Sequence, residues 1–296
     1  LNSLSVDSKI YLSMKKIFFL LPFLSLVLTD SYAQFSMLDP RFSDDFIIPE
    51  NYWGPKDTLA NHVDFVCIFE YNVVDTVLHE ARNYNLILQC SDTVATFSDF
   101  YDYKEDSLIT AHHRKITVGE YRPIFNQAMR ESSNYNYCLF YKRNFYRRND
   151  SFIGRSFYYE ESLPKWDWKL YEETRRVCGY VCHKAVAKHA GRIWTAWYTE
   201  EIPSNAGPWL LYGLPGLILA ATDNTGTHSF EAISLQKPAL PQLLWKKKTT
   251  KQTRSYSLKS EYNQAFHASS LFEAAGIVSD TKFEDKRRFY NPLELE

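Results

Sequence analysis

What most constrains this chain is a succession of short aromatic and β-branched runs between residues 63 and 235, with little glycine to interrupt them. Tyr and Phe number 21 and 20 against 10 Gly in 296 residues. The clearest runs are 63–74, 84–90, 135–145, 151–160, 166–172, 179–188, 192–199, 216–222 and 227–235, and their composition is that of strands. Phe65, Cys67, Phe69 and Tyr71 alternate with Val66, Ile68 and Glu70, the pattern of a strand with both faces largely covered. Asp223-Asn224-Thr225-Gly226 separates two runs with residues that tolerate positive φ. Many strands on short connections, without strand–helix alternation, predict a mainly β (β-rich α+β) fold. The expected form is a curved antiparallel sheet or half-barrel meander with two or three helices.

The helices are expected at three places. From Ser257, placed as a cap, Leu258, Tyr262, Ala265, Phe266 and Ser269 share a side, and Gly276 stands where that helix should stop. A second helix is expected over 120–130, where Tyr121, Ile124, Phe125, Ala128 and Met129 face one way, and a third within 92–106. No repeat or linker divides the chain, so residues 34–296 are expected to form a single domain.

The N-terminal segment carries an address. Met14-Lys15-Lys16 is followed by an apolar run over 17–28 and then Ser31-Tyr32-Ala33, with small residues where signal peptidase inspects. Residues 14–33 read as a signal peptide cut before Gln34. The apolar run is too short to span a bilayer core of about 30 Å. Residues 1–13 read as upstream sequence translated from a mistaken start. Removal of 1–33 takes away Lys9, Lys15, Lys16, Asp7 and Asp30, so 34 basic and 35 acidic residues become 31 and 33. A mature net charge of about −2 leaves no global positive field for nucleic acid or anionic lipid. No later segment is apolar enough to cross a membrane. Periplasm or cell surface is the expected location. Five cysteines (Cys67, Cys90, Cys138, Cys178, Cys182) are an odd set, which leaves at least one thiol unpaired or shared in an oxidising compartment. Cys67 and Cys90 lie on candidate neighbouring strands, and connectivity stays open.

The most distinctive stretch is 194–220, WTAWYTEEIPSNAGPWLLYGLPGLILA. In Gly213-Leu214-Pro215-Gly216, proline presets φ at the second position of a turn, and glycine at the third supplies the positive φ of type II. Leu217-Ile218-Leu219 then enters a buried strand. Such a loop either serves as a tight turn into the core, or forms a rigid pocket mouth with Trp209 and Tyr212 at its rim. Upstream stand Gly179-Tyr180-Val181-Cys182-His183-Lys184-Ala185, and at the end Tyr290-Asn291-Pro292-Leu293-Glu294-Leu295. These segments, with the WxAWYT…IP…GP run and the GLPGLI letters of 213–218, resemble the GLPGLI family, and a looser likeness lies in 86–100. The resemblance covers most of the chain beyond residue 33. It implies an envelope protein of Bacteroidota without an established activity, and a strand-rich meander similar to the half-barrels of periplasmic lipoprotein carriers.

Chemical motifs are scarce. GxxxxGK[ST], GxSxG and HExxH are absent. Cys178, Cys182, His183 and His189 offer soft ligands, but residues four apart on a strand lie about 13 Å from each other, so no metal site is expected. Cys182 and His183 are strand neighbours and point to opposite faces, so they form no nucleophile–base pair as they stand. His112-His113 reads as a solvated pair. The basic runs Lys246-Lys247-Lys248 with Lys251 and Arg254, Arg147-Arg148, and Lys286-Arg287-Arg288 read as solvated faces. Trp166, Trp168, Trp194, Trp197 and Trp209 read as core and sheet-face packing or, where some line a cavity, as surfaces for an apolar or ring-shaped ligand.

The functional expectation is therefore a non-enzymatic envelope protein that binds a hydrophobic ligand or an envelope protein partner at the signature loop. The ligand-binding residues would be Trp194, Trp197, Tyr198, Pro203, Gly207 and Pro208 on the approach, and Trp209, Tyr212, Gly213, Leu214, Pro215 and Gly216 in the loop. No catalytic residue, cofactor, metal or nucleic-acid partner is assigned. The rivals are an envelope hydrolase or thiol-dependent enzyme, and a structural or assembly factor.

Overall fold

The computed structural model describes residues 43–113, 115–152, 155–246, 248, 250–266 and 288–294. The expected leader, the segment before it and Gly276 lie outside these residues. In chain order come β1 (Lys56–Ala60), β2 (Phe65–Asp75), β3 (Glu80–Cys90) and β4 (Val94–Asp99), then α1 (Phe100–Ala111) and α2 (Val118–Glu131). Next are β5 (Asn136–Phe140), β6 (Phe145–Phe152), β7 (Arg155–Ser162), β8 (Lys169–Val177), β9 (Tyr180–His189) and β10 (Arg192–Thr199). The chain continues with β11 (Leu217–Asp223), β12 (His228–Gln236), β13 (Leu243–Lys246) and α3 (Arg254–Phe266).

Eleven strands form one open antiparallel sheet in the order β7-β6-β5-β4-β3-β2-β12-β11-β10-β9-β8. Two up-and-down meanders, β2 to β7 and β8 to β12, thus meet where β2 pairs with β12. The mainly β, curved, unclosed architecture is the one the strand runs predict. One face carries a contiguous core from Tyr159 on β7, through Phe69 and Tyr71 on β2, to Trp194 on β10 and Cys182 on β9. Opposite it, Val66, Ile87, Val94 and Cys138 pack under the β1–β13 ribbon, which contributes Leu243 and Trp245. That double covering explains why β2 reads as a strand with both faces largely covered and why all six residues of β4 are buried. A third cluster joins Ile48 and Trp53 to Ile109, Ile116, Val118 and Tyr121 of the helical insert. No helix among the described residues is long and apolar enough to cross a membrane.

Several boundaries differ from expectation for local reasons. The run 135–145 is two strands, because Tyr141–Arg143 forms a 3-10 turn and Asn144 takes φ 55°. Within 92–106, Val94–Asp99 is a wholly buried strand, and its last residue caps α1 by accepting from the Tyr101 N–H. The helix expected over 120–130 is α2, started by a Thr117/Glu120 capping box. Ser257 does not cap α3, which begins three residues earlier. It is buried inside the helix and bonds Asp150.

Candidate functional site

The signature loop lies against the inner core. Trp194, Tyr198, Gly207, Pro208, Trp209, Leu214 and Gly216 are buried, Trp197 and Tyr212 are partly covered, and Pro203, Gly213 and Pro215 are exposed. Trp209 is fully buried at φ 55°, a conformation costing an L-residue about 1–2 kcal/mol. The contacts of its indole with Trp194 (ring centroids 5.5 Å apart) and Trp166 (6.5 Å) accompany that strain. Trp166 and Trp168 stack at 4.9 Å and donate their indole N–H groups to Leu210 O and Tyr212 O, both at 2.9 Å. Tyr212 donates its hydroxyl to Pro164 O at 2.7 Å. Two peripheral tryptophans therefore strap the loop down through its own carbonyls, and the loop's Tyr212 ties back to the segment that carries them. Trp197, from the expected mouth, instead lies under Arg175, 5.0 Å from the ring centre, and that arginine pairs with Glu231.

The turn is not the expected type II. Gly213, not Gly216, takes positive φ, at +90°. Gly216 is glycine because its backbone runs against Thr199, whose carbonyl oxygen would overlap any Cβ added there. Gly207 is similarly confined, a Cβ there lying 2.6 Å from Leu211 O.

A buried clamp at Arg192 holds the last described segment. Arg192 is 3% exposed and donates Nε–H to Leu293 O at 3.0 Å. One terminal nitrogen reaches Pro292 O (2.7 Å) and Asn291 Oδ1 (3.0 Å), and the other reaches Asp223 Oδ2 (2.7 Å). Asn291 Nδ2 donates to Val74 O, and Tyr290 N to Asp75 Oδ2. Burial would raise the Asp223 carboxyl, but bonds from Thr225 and the His228 N–H, with the Arg192 charge, hold it below the usual range. His228 is fully buried beside this group, with Nδ1 2.7 Å from the Tyr71 hydroxyl. Burial first, and then Arg192, push its imidazole down to about 4.

Between this tail, α3 and the inner face lies a cleft of about 400 Å³. Tyr84, Tyr135 and Tyr137 line one side, and Glu261 and Gln264 of α3 another. Phe289 and Tyr290 contribute from the tail, with Arg82 4.3 Å above the Phe289 ring. At the base sits Arg148, 6% exposed and paired across the sheet with Tyr137 on one side and Tyr159 on the other. It bonds Glu261, lies 3.6 Å from Asp150 and 5.4 Å from the Tyr137 ring centre. Burial pushes Tyr135 up to about 12 and Tyr137 well above the ordinary phenol value. Both hydroxyls therefore stay protonated and can donate. None of these residues was selected from the sequence. The available signal was the alternation of Tyr146, Arg148 and Asp150 along β6, which places the second arginine of Arg147-Arg148 inward.

The remaining motifs resolve individually. All five cysteines are free thiols. Cys67, Cys90 and Cys138 are pushed well up by burial, and Cys182 up to about 11. Cys178 and Gly179 form the tight turn between β8 and β9 with positive φ at both, and no metal-binding group of three or more His, Cys, Asp or Glu occurs among the described residues. Several described members of the basic runs pair with acids. Lys246 pairs with Asp102 at 2.6 Å, Lys251 with Glu160 at 2.7 Å, Arg254 with Glu294, and Arg147 with Glu160 at 2.7 Å.

Fold and cleft together define an open β-meander around a plugged inner face, with a polar aromatic cleft beside a clamped tail. A family model described as a protein of unknown function (Porph_ging) matches residues 188–220, from the end of β9 through the signature loop into β11. Two solved structures of PNGF-II, in the C2 and P21 space groups, are similar over 68% of this chain, at 15% and 13% identity and TM-scores of 0.46 and 0.44. The match covers 33% and 34% of those chains, so this chain spans about a third of their length. No curated protein matches it.

Proposed function

We propose that this is a secreted envelope protein of the GLPGLI kind that binds a small ligand without performing chemistry on it, seated in the cleft between the inner face, α3 and the tail. The signature loop serves this reading as the plug that fills the inner face. The observation that carries it is the cleft, whose volume of about 400 Å³ falls in the ~300–1,000 Å³ range of small-ligand sites. Its lining combines tyrosine faces with converging charged and amide groups, and is more polar than the mostly apolar lining usual in such sites. The charged lining favours a ligand with hydrogen-bonding groups over the purely hydrophobic one that the aromatic content suggests. Against a thiol-dependent enzyme at Cys67, Cys90, Cys138 or Cys182 stands the burial of those four thiols, since the thiolate is the nucleophile and burial disfavours it.

The test is to isolate the protein from its native envelope and weigh it under native and denaturing conditions. A discrete excess mass, lost on denaturation and absent from Gln264→Ala and Tyr84→Ala variants, is the expected result. The bare polypeptide mass in every preparation, or an excess mass retained by both variants, contradicts the cleft as a ligand seat.

A further inference from the structure

We infer that the cleft takes a neutral saccharide: a ring-shaped, hydroxyl-rich molecule of one or two sugar units. The inference rests on the cleft being the ligand seat and adds the class of molecule. Charge gives the first argument. Arg82, Arg148 and Arg288 in the lining are balanced by Asp150, Glu261 and Glu294. An anion placed there meets three carboxylates and a cation three guanidinium groups, so neither gains from the local field. A hydrocarbon fares no better, because it would strip the remaining water from Glu261, 28% exposed at its side chain, without offering it a hydrogen bond.

The polar groups that remain suit alcohols. Glu261 and Asp150 accept hydrogen bonds, the protonated Tyr135 and Tyr137 hydroxyls donate, and the Asn134 and Gln264 amides do both. A sugar hydroxyl is both donor and acceptor and can meet such a mixed set from one ring. The aromatic side fits the same molecule. Tyr84, partly open, stacks on Tyr71 at 6.2 Å and meets Tyr135 edge-on at 6.5 Å, and a fixed ring face is the surface on which the C–H face of a pyranose rests.

The test titrates the purified protein, by calorimetry and ligand-observed NMR, with a panel of neutral hexose and N-acetylhexosamine mono- and disaccharides. Glucuronate, glucosamine and palmitate are the anionic, cationic and apolar comparators. The expected result is saturable binding of at least one neutral sugar, with charged analogues about tenfold weaker. Tyr84→Ala and Gln264→Ala should each weaken it by about tenfold, and Trp168→Phe, at the signature loop, should leave it unchanged. Gln264 lies on the α3 surface of the cleft, so its variant tests the site should loss of Tyr84 disturb folding. Palmitate binding that depends on Gln264, with no neutral sugar bound, overturns the saccharide assignment and leaves the seat standing. If no probe binds and both variants keep any mass captured from the envelope, inference and seat fall together.

Discussion

At the residue scale, the arrangement rests on positions where one atom decides the outcome. Gly216 has no positive φ to justify glycine, yet a methyl group would overlap the Thr199 carbonyl. Gly216→Ala is therefore expected to lower stability by at least about 3 kcal/mol in urea unfolding, since backbone against backbone leaves nothing flexible to yield. Gly213→Ala, where the space is open and only φ is unfavourable, should cost about 1–2 kcal/mol. Equal losses at the two positions would contradict this account of the loop. His228 supplies a pH signature. Its folded value of about 4 lies below the ordinary 6.5, so between these the unfolded chain binds more protons and stability falls as pH falls from 6.5 to 4. Burial first, and then the Arg192 charge, hold the ring neutral in the fold against the Asp223 carboxylate, which favours the protonated form. Asp99 acts in the opposite sense, because burial raises it to about 6, and its contribution falls as pH rises from 3.8 to 6. A His228→Gln variant separates the two. The stability difference between wild type and variant should shrink by roughly 3 kcal/mol from pH 6.5 to 4, and a constant difference would show that His228 does not titrate in this way.

At the element scale, the clamp on the tail is the connection that ties most elements together. Arg192 begins β10, Asp223 ends β11, Val74 and Asp75 close β2, and Asn291 to Leu293 lie among them. Arg192→Ala leaves Asp223 buried without its cation, and the loss of one partner of a buried pair typically costs about 3–5 kcal/mol. Limited proteolysis should then cut near residue 290 at concentrations that leave wild type intact. Unchanged stability and an uncut tail would show that the clamp is dispensable. Most strands were legible in the sequence, because aromatic and β-branched runs are local signals. Strand β4 was not, since six consecutive buried residues give no alternation. The clamp was equally hidden. Arg192 beside a turn has the sequence surroundings of a surface residue, and only the register of β10 with β11, and the return of a tail some hundred residues later, buries it.

At the scale of the whole molecule, sheet and plug divide the work. The sheet spans eleven strands without closing, and its inner face would expose Trp194, Phe230 and Phe69 if nothing filled it. The signature loop and the stacked Trp166 and Trp168 fill one part, and the tail another, so the most recognisable letters in the sequence mark packing. The cleft remains where α3 and the tail stand off from β3, β5 and β6. It was not legible because its residues come from six separated segments, and its one local cue, the inward step of Arg148 and Asp150 on β6, was masked by a basic dipeptide. The measurement that tests this division most directly is hydrogen–deuterium exchange of the protein with its captured ligand, compared with the same protein stripped of it. The account predicts added protection over residues 134–150, 258–266 and 288–294 and none over 203–217. Protection confined to 203–217 would return the binding mouth to the signature loop and contradict the account.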